Sequence, residues 1–73
     1  MSDVVKRSIS IRGHRTSFSI EQPFFDELTR IAAEREMPLA RLVGEIDENR
    51  ARTNNLSSAL RLYVLDQIRA QRR

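Results

Sequence analysis

The chain has 73 residues, no cysteine and one histidine; it carries a formal net charge of +3 and is 40% hydrophobic and 32% charged. These figures allow one globular domain and exclude disulfides and thiolate metal sites, and the single histidine, His14, argues against a metal site from the other ligands. So small a core usually needs support, and the remaining source is a second copy, most simply in a twofold dimer.

The charge is unevenly spread. Residues 1–20 hold four cations against one acid, residues 21–50 four cations against eight acids, and residues 51–73 five cations against one acid. An acidic middle between basic ends points to one positive surface and a polyanionic partner, with ordinary solubilising charge as the other reading. No apolar run is long enough to span a bilayer, and "MSDVVKRSIS" lacks the apolar core of a secretion signal. The expectation is a cytoplasmic protein with no membrane contact.

Residues 4–20 alternate with period two, as a half-buried strand does. Val5, Ile9, Ile11, Thr16, Phe18 and Ile20 fall on one face; Lys6, Ser8, Ser10, Arg12, Arg15, Ser17 and Ser19 fall on the other. Gly13-His14 fits a two-residue loop with glycine first, a type II′ hairpin turn. That register pairs Arg12 with Arg15, Ser10 with Ser17, Ile9 with Phe18 and Ser8 with Ser19. Two opposed arginines repel, which suggests that something negative approaches them.

"EQPFFDELTRIAAER" reads as a helix over residues 22–35, with Pro23 in the opening turn and an apolar stripe of Phe24, Leu28 and Ile31. "MPLARLVGEIDENR" reads as a second helix over 38–49, in which Leu39, Leu42, Val43 and Ile46 keep helical spacing. Gly44 within it suits close approach of another helix. After the polar linker "ARTNN", a third helix is expected over 56–70, capped by Asn55 or Ser57. Leu60, Tyr63, Val64 and Ile68 share one of its sides, while Leu62 and Leu65 point nearly opposite. A helix apolar on most sides belongs in a core or an interface. The closing "RAQRR" reads as a frayed basic end.

Catalysis finds little support, which leaves a metabolic enzyme as a distant third reading: there is no nucleophile with a recognisable base, no glycine-rich phosphate loop and no metal-ligand spacing, and no cofactor is expected. His14 reads as an exposed turn residue, with a phosphate contact as the minor alternative. Glu45, Asp47 and Glu48 fall on different helix sides and read as a solvated acidic face. The strand is more informative, because serine and arginine on a twisted ribbon can hydrogen-bond base edges in a major groove. A solvated outer sheet face is the plainer alternative.

The order of elements in "RTSFSIEQPFFDELTRIAAEREMPLARLVGEI", residues 15–46, resembles the ribbon-helix-helix family, dimeric DNA-binding proteins of the Arc and methionine-repressor kind. With the flanks "KRSISIRGHRTS" and "NLSSALRLYVLDQIR", the likeness extends over about residues 4–70 and points to a short bacterial subgroup. It implies a mainly α fold with a short β-ribbon and a third C-terminal helix, in an intertwined homodimer. Residues 15–21 would be the ribbon strand and 4–12 an extra strand or arm.

The resemblance assigns base contacts to Arg15, Ser17 and Ser19. It assigns phosphate contacts to the backbone of Leu39 and Ala40, at the second helix N-terminus, with Arg41 nearby. Lys6, Arg7 and Arg12 would add phosphate affinity. The dimer core would hold Phe18, Ile20, Leu28, Leu42, Val43, Ile46, Leu60, Tyr63 and Val64. Family members often carry a hydroxyl residue where Pro38 stands, and "NNLSSALR" is chemically the better anion site, with ordinary capping as its other use. Two hairpins side by side would overfill a major groove of about 12 Å, so if residues 5–11 pair with 16–22, either the first segment is a mobile or partner-swapped arm or this member has traded groove reading for another task.

The expected function is sequence-specific DNA binding in transcriptional regulation, by a cytoplasmic, nucleoid-associated bacterial homodimer without cofactor or enzymatic activity. The alternative is an antitoxin-like or adaptor protein that binds a protein partner through residues 56–70.

Overall fold

The computed structural model describes residues 3–71; Arg72 and Arg73 of the expected basic end lie outside the described residues. Strands β1 (Val4–Ile11) and β2 (His14–Glu21) form an antiparallel hairpin, followed by helices α1 (Gln22–Glu34), α2 (Leu39–Asn49) and α3 (Leu56–Gln71).

The hairpin turns at Arg12-Gly13, one residue earlier than Gly13-His14. Both loop residues have positive φ, 50° at Arg12 and 81° at Gly13, the signature of a type I′ turn whose twist matches the strands. The pairing therefore runs Ile11 with His14, Ser10 with Arg15, Ile9 with Thr16, Ser8 with Ser17, Arg7 with Phe18, Lys6 with Ser19 and Val5 with Ile20. The register is two residues from the expected one, and the opposed arginine pair does not exist. Because the offset is even, every side chain keeps its face.

One face of the hairpin carries Ile11, Phe18 and Ile20 into a single core. Leu28, Ile31 and Ala32 of α1 join it, with Leu42, Val43 and Ile46 of α2 and Leu56, Ala59, Leu60 and Val64 of α3. All the residues expected in a dimer core except Tyr63 are buried within one chain; Tyr63 is half-buried and packs at its edge.

The corners are set by local chemistry. α1 ends with the Met37 N–H donating to Ala32 O at 3.0 Å and the Glu36 N–H to Ala33 O at 3.1 Å. This is a Schellman closure with Glu36, at φ 55°, in the left-handed position that glycine usually fills. Pro38 stands at the N-cap of α2, outside the helix, and its carbonyl accepts the Arg41 and Leu42 N–H groups at 3.0 and 3.2 Å. Gly44 allows close approach of β1, not of another helix: a Cβ there would lie 3.1 Å from Ile11 Cγ2. Asn55 caps α3, its Oδ1 accepting the Ser58 N–H at 2.8 Å.

Candidate nucleic-acid interface

The face of the hairpin turned away from the helices is a short polar ladder. Its rungs are Lys6 with Ser19, Ser8 with Ser17, and Ser10 with Arg15; all six residues are exposed except Ser19, which is half-buried. Small hydroxyls occupy the middle, and the cations stand at diagonally opposite ends on different strands. Neither Lys6 nor Arg15 forms an ion pair among the described residues. Arg12 extends the row at the tip, held loosely to Glu48 at 3.4 Å across an exposed gap. Serine hydroxyls can donate or accept, and unpaired guanidinium and ammonium groups only donate, so the ladder suits an acceptor-rich polyanion.

Ser19 differs from the rest because its backbone is already engaged. Its N–H donates to Ser57 Oγ at 2.9 Å, and its carbonyl accepts from Arg61 Nη2 at 3.2 Å. Arg61 Nε also donates to Glu21 Oε1 at 2.9 Å. That bond, with help from the Glu21 backbone and the arginine's charge, holds the Glu21 carboxyl below its ordinary value. α3 thus closes the outer edge of β2 over Ser19–Glu21. Ser57 accepts this bond and Asn55 caps α3, so both side chains at the start of α3 have structural partners.

Three of the expected phosphate contacts come together. Arg12, Ala40 and Arg41 line a cleft of about 370 Å³ between the end of β1 and the first turn of α2, with Ser10 and Glu45 beside them. No side chain caps that helix end. Glu45 lies 3.8 Å from Arg41 Nε and offsets part of its charge. Leu39 lines a neighbouring cleft with Lys6 and Phe25.

Arg7 lines that second cleft as well. Its rung partner is the buried Phe18, so its side chain emerges on the helix side. There its guanidinium lies over the Phe25 ring, 3.7 Å from the centroid, and donates to Gln22 Oε1. A cation stacked on an aromatic face and bonded to an amide braces the hairpin against α1. Among the described residues, no group of three or more His, Cys, Asp or Glu could hold a metal, and no helix is long and apolar enough to cross a membrane. On the far side of α3, Leu62 and Leu65 are 51% and 40% exposed.

The sequence model of a family described as "Ribbon-helix-helix domain" matches residues 4–68. No curated protein and no solved structure matches the chain.

Proposed function

The chain belongs to the ribbon-helix-helix family, a family of DNA-binding regulators, and from that premise we propose that it is a sequence-specific transcriptional regulator acting as a homodimer. The observation that carries this reading is the exposed ladder of hydroxyls and cations on the hairpin, in which Lys6 and Arg15 form no ion pair among the described residues. Arg15 suits bidentate bonding to a guanine edge, and Ser17 and the half-buried Ser19 bond base edges beside it. Lys6, Arg12, Arg41 and the backbone of Leu39 and Ala40 hold phosphates, which fixes orientation without reading sequence. Two chains present two such surfaces to inverted or tandem half-sites. A cytoplasmic, nucleoid-associated bacterial protein follows from this reading.

The test is electrophoretic mobility shift at several salt concentrations, with the gene's own upstream DNA beside random DNA, and sedimentation of the free protein. The reading requires tighter binding to the upstream DNA, a steep fall in affinity with salt and a dimer. Equal affinity for both DNAs, or a salt-insensitive complex, overturns it.

The exposure of Leu62 and Leu65 favours a second reading, an adaptor or antitoxin-like protein that grips a partner with the outer side of α3. Truncating α3 cannot test it, because Leu60 and Val64 belong to the core. Replacing Leu62 and Leu65 with serine leaves the core intact. Loss of DNA binding in that double variant points to a dimer through α3, and unchanged binding leaves that surface free for a protein.

A further inference from the structure

We infer that the DNA-reading ribbon is complete within one chain, with β1 standing where a second chain's strand would otherwise pair. The inference rests on the DNA-binding reading above and names its surface: Ser8 and Ser10 of β1 face the bases together with Arg15 and Ser17 of β2. The ligand is the major groove of duplex DNA, one hairpin to a groove.

Both edges of β2 bear on this. The inner edge is bonded to β1 along its whole length, from Glu21 to His14. The outer edge is closed at Ser19 by Ser57 and Arg61. Only the stretch from Arg15 to Ser17 is left for a strand from another chain, shorter than the five or six residues of an ordinary strand.

Width leads to the same arrangement. Neighbouring strands lie about 4.8 Å apart, so two strands with their side chains fill a groove about 12 Å wide. Joining two hairpins edge to edge would set the outermost strands about 14 Å apart before any side chain is counted. The rung chemistry fits a single hairpin: Ser8 and Ser17, small and paired across its centre, let the backbone come close to base edges. Lys6 and Arg15, on different strands at opposite ends, place positive charge toward both sides of the groove.

The decisive comparison is Ser8→Glu against Ser17→Glu in the full chain, since the two positions are exposed partners on one rung. Ser10→Glu serves as a second β1 variant, and thermal unfolding confirms that each variant folds. Binding is measured by mobility shift on the gene's upstream DNA, and native mass spectrometry counts chains on the shortest duplex that still binds. The inference expects Ser8→Glu and Ser17→Glu to weaken binding alike, by about tenfold or more, with one chain in each groove. If Ser17→Glu weakens binding while both β1 variants bind within about twofold of the parent, or if two chains always share one groove, the inference is overturned and the DNA-binding reading stands. If the parent binds neither upstream nor random DNA, that reading falls and takes the inference with it.

Discussion

The two faces of the hairpin share a backbone and a register yet answer to different physics. On the helix side, Phe18 and Ile20 are 3% and 0% exposed and lie among residues from all three helices. On the other side, Ser8, Ser10 and Ser17 are exposed and belong to no buried cluster. The first row holds the fold together; the second contributes little to it and is therefore free to be chosen for what it binds. Neighbouring positions should then differ sharply. Phe18→Ala should cost about 3–5 kcal/mol, a large part of a small domain's total, whereas Ser17→Ala should stay within about 0.5 kcal/mol. Urea unfolding of both variants tests the contrast, and similar costs would mean that the outer row is not free.

DNA binding should invert that ranking. Arg15→Ala is expected to lose about 1–3 kcal/mol of discrimination between DNA sequences, and Lys6→Ala to weaken all sequences about equally while lowering the salt slope by about one. Neither should move the unfolding midpoint appreciably. Titrations against matched and mismatched duplexes at three salt concentrations separate the two effects. Tight, selective binding that survives both changes would remove the outer face from the site.

The two faces were legible in the sequence because period two needs no tertiary information. Residues 4–20 announce them, as the helical spacing of Leu42, Val43 and Ile46 announces the buried side of α2. The phase of the turn was not legible: glycine suits either position of a two-residue loop, and nothing about an arginine at position 12 signals a φ of 50°. The side on which Arg7 emerges was legible only through its parity. Arg7 alternates with Ile9 and Ile11, and that spacing together with the ring of Phe25 was the available signal. The closure of the β2 edge by Ser57 and Arg61 spans about forty residues of chain and leaves no local mark; a serine near a helix start reads as a cap.

Arg12 and Glu36 sharpen the comparison further, since both are non-glycine residues in the left-handed region, at φ 50° and 55°. Such a conformation costs an ordinary residue about 1 kcal/mol. Glu36 lies in the α1–α2 corner, where its side chain makes no hydrogen bond or ion pair among the described residues, so Glu36→Gly should recover about that amount and leave DNA binding unchanged. Arg12 stands at the tip of the outer face. Arg12→Asn should stabilise the type I′ turn by up to about 1 kcal/mol yet weaken DNA binding, because a phosphate-facing cation is removed. Thermal unfolding and mobility shift on the same preparations decide; an Arg12→Asn protein that binds as tightly as the parent would confine Arg12 to the turn.

The smallest expected effect lies where the outer face meets α3. Glu21 is held below its ordinary carboxyl value of 4.5, chiefly by the hydrogen bond from Arg61. A carboxyl whose folded value is depressed contributes stability above its unfolded value and loses it as pH falls through the folded one. In this contact the Glu21 carboxyl is the group that the pH dependence reads. The stability difference between the parent and Glu21→Gln should therefore be constant near neutrality and shrink as pH drops below about 4.5. Exchange of the Ser19 amide, which donates to Ser57, reports on the same closure: it should become less protected, relative to amides buried between β1 and β2, over the same interval. If protection of Ser19 ignores Glu21 altogether, then Ser57 closes the edge alone and Arg61 belongs to the surface.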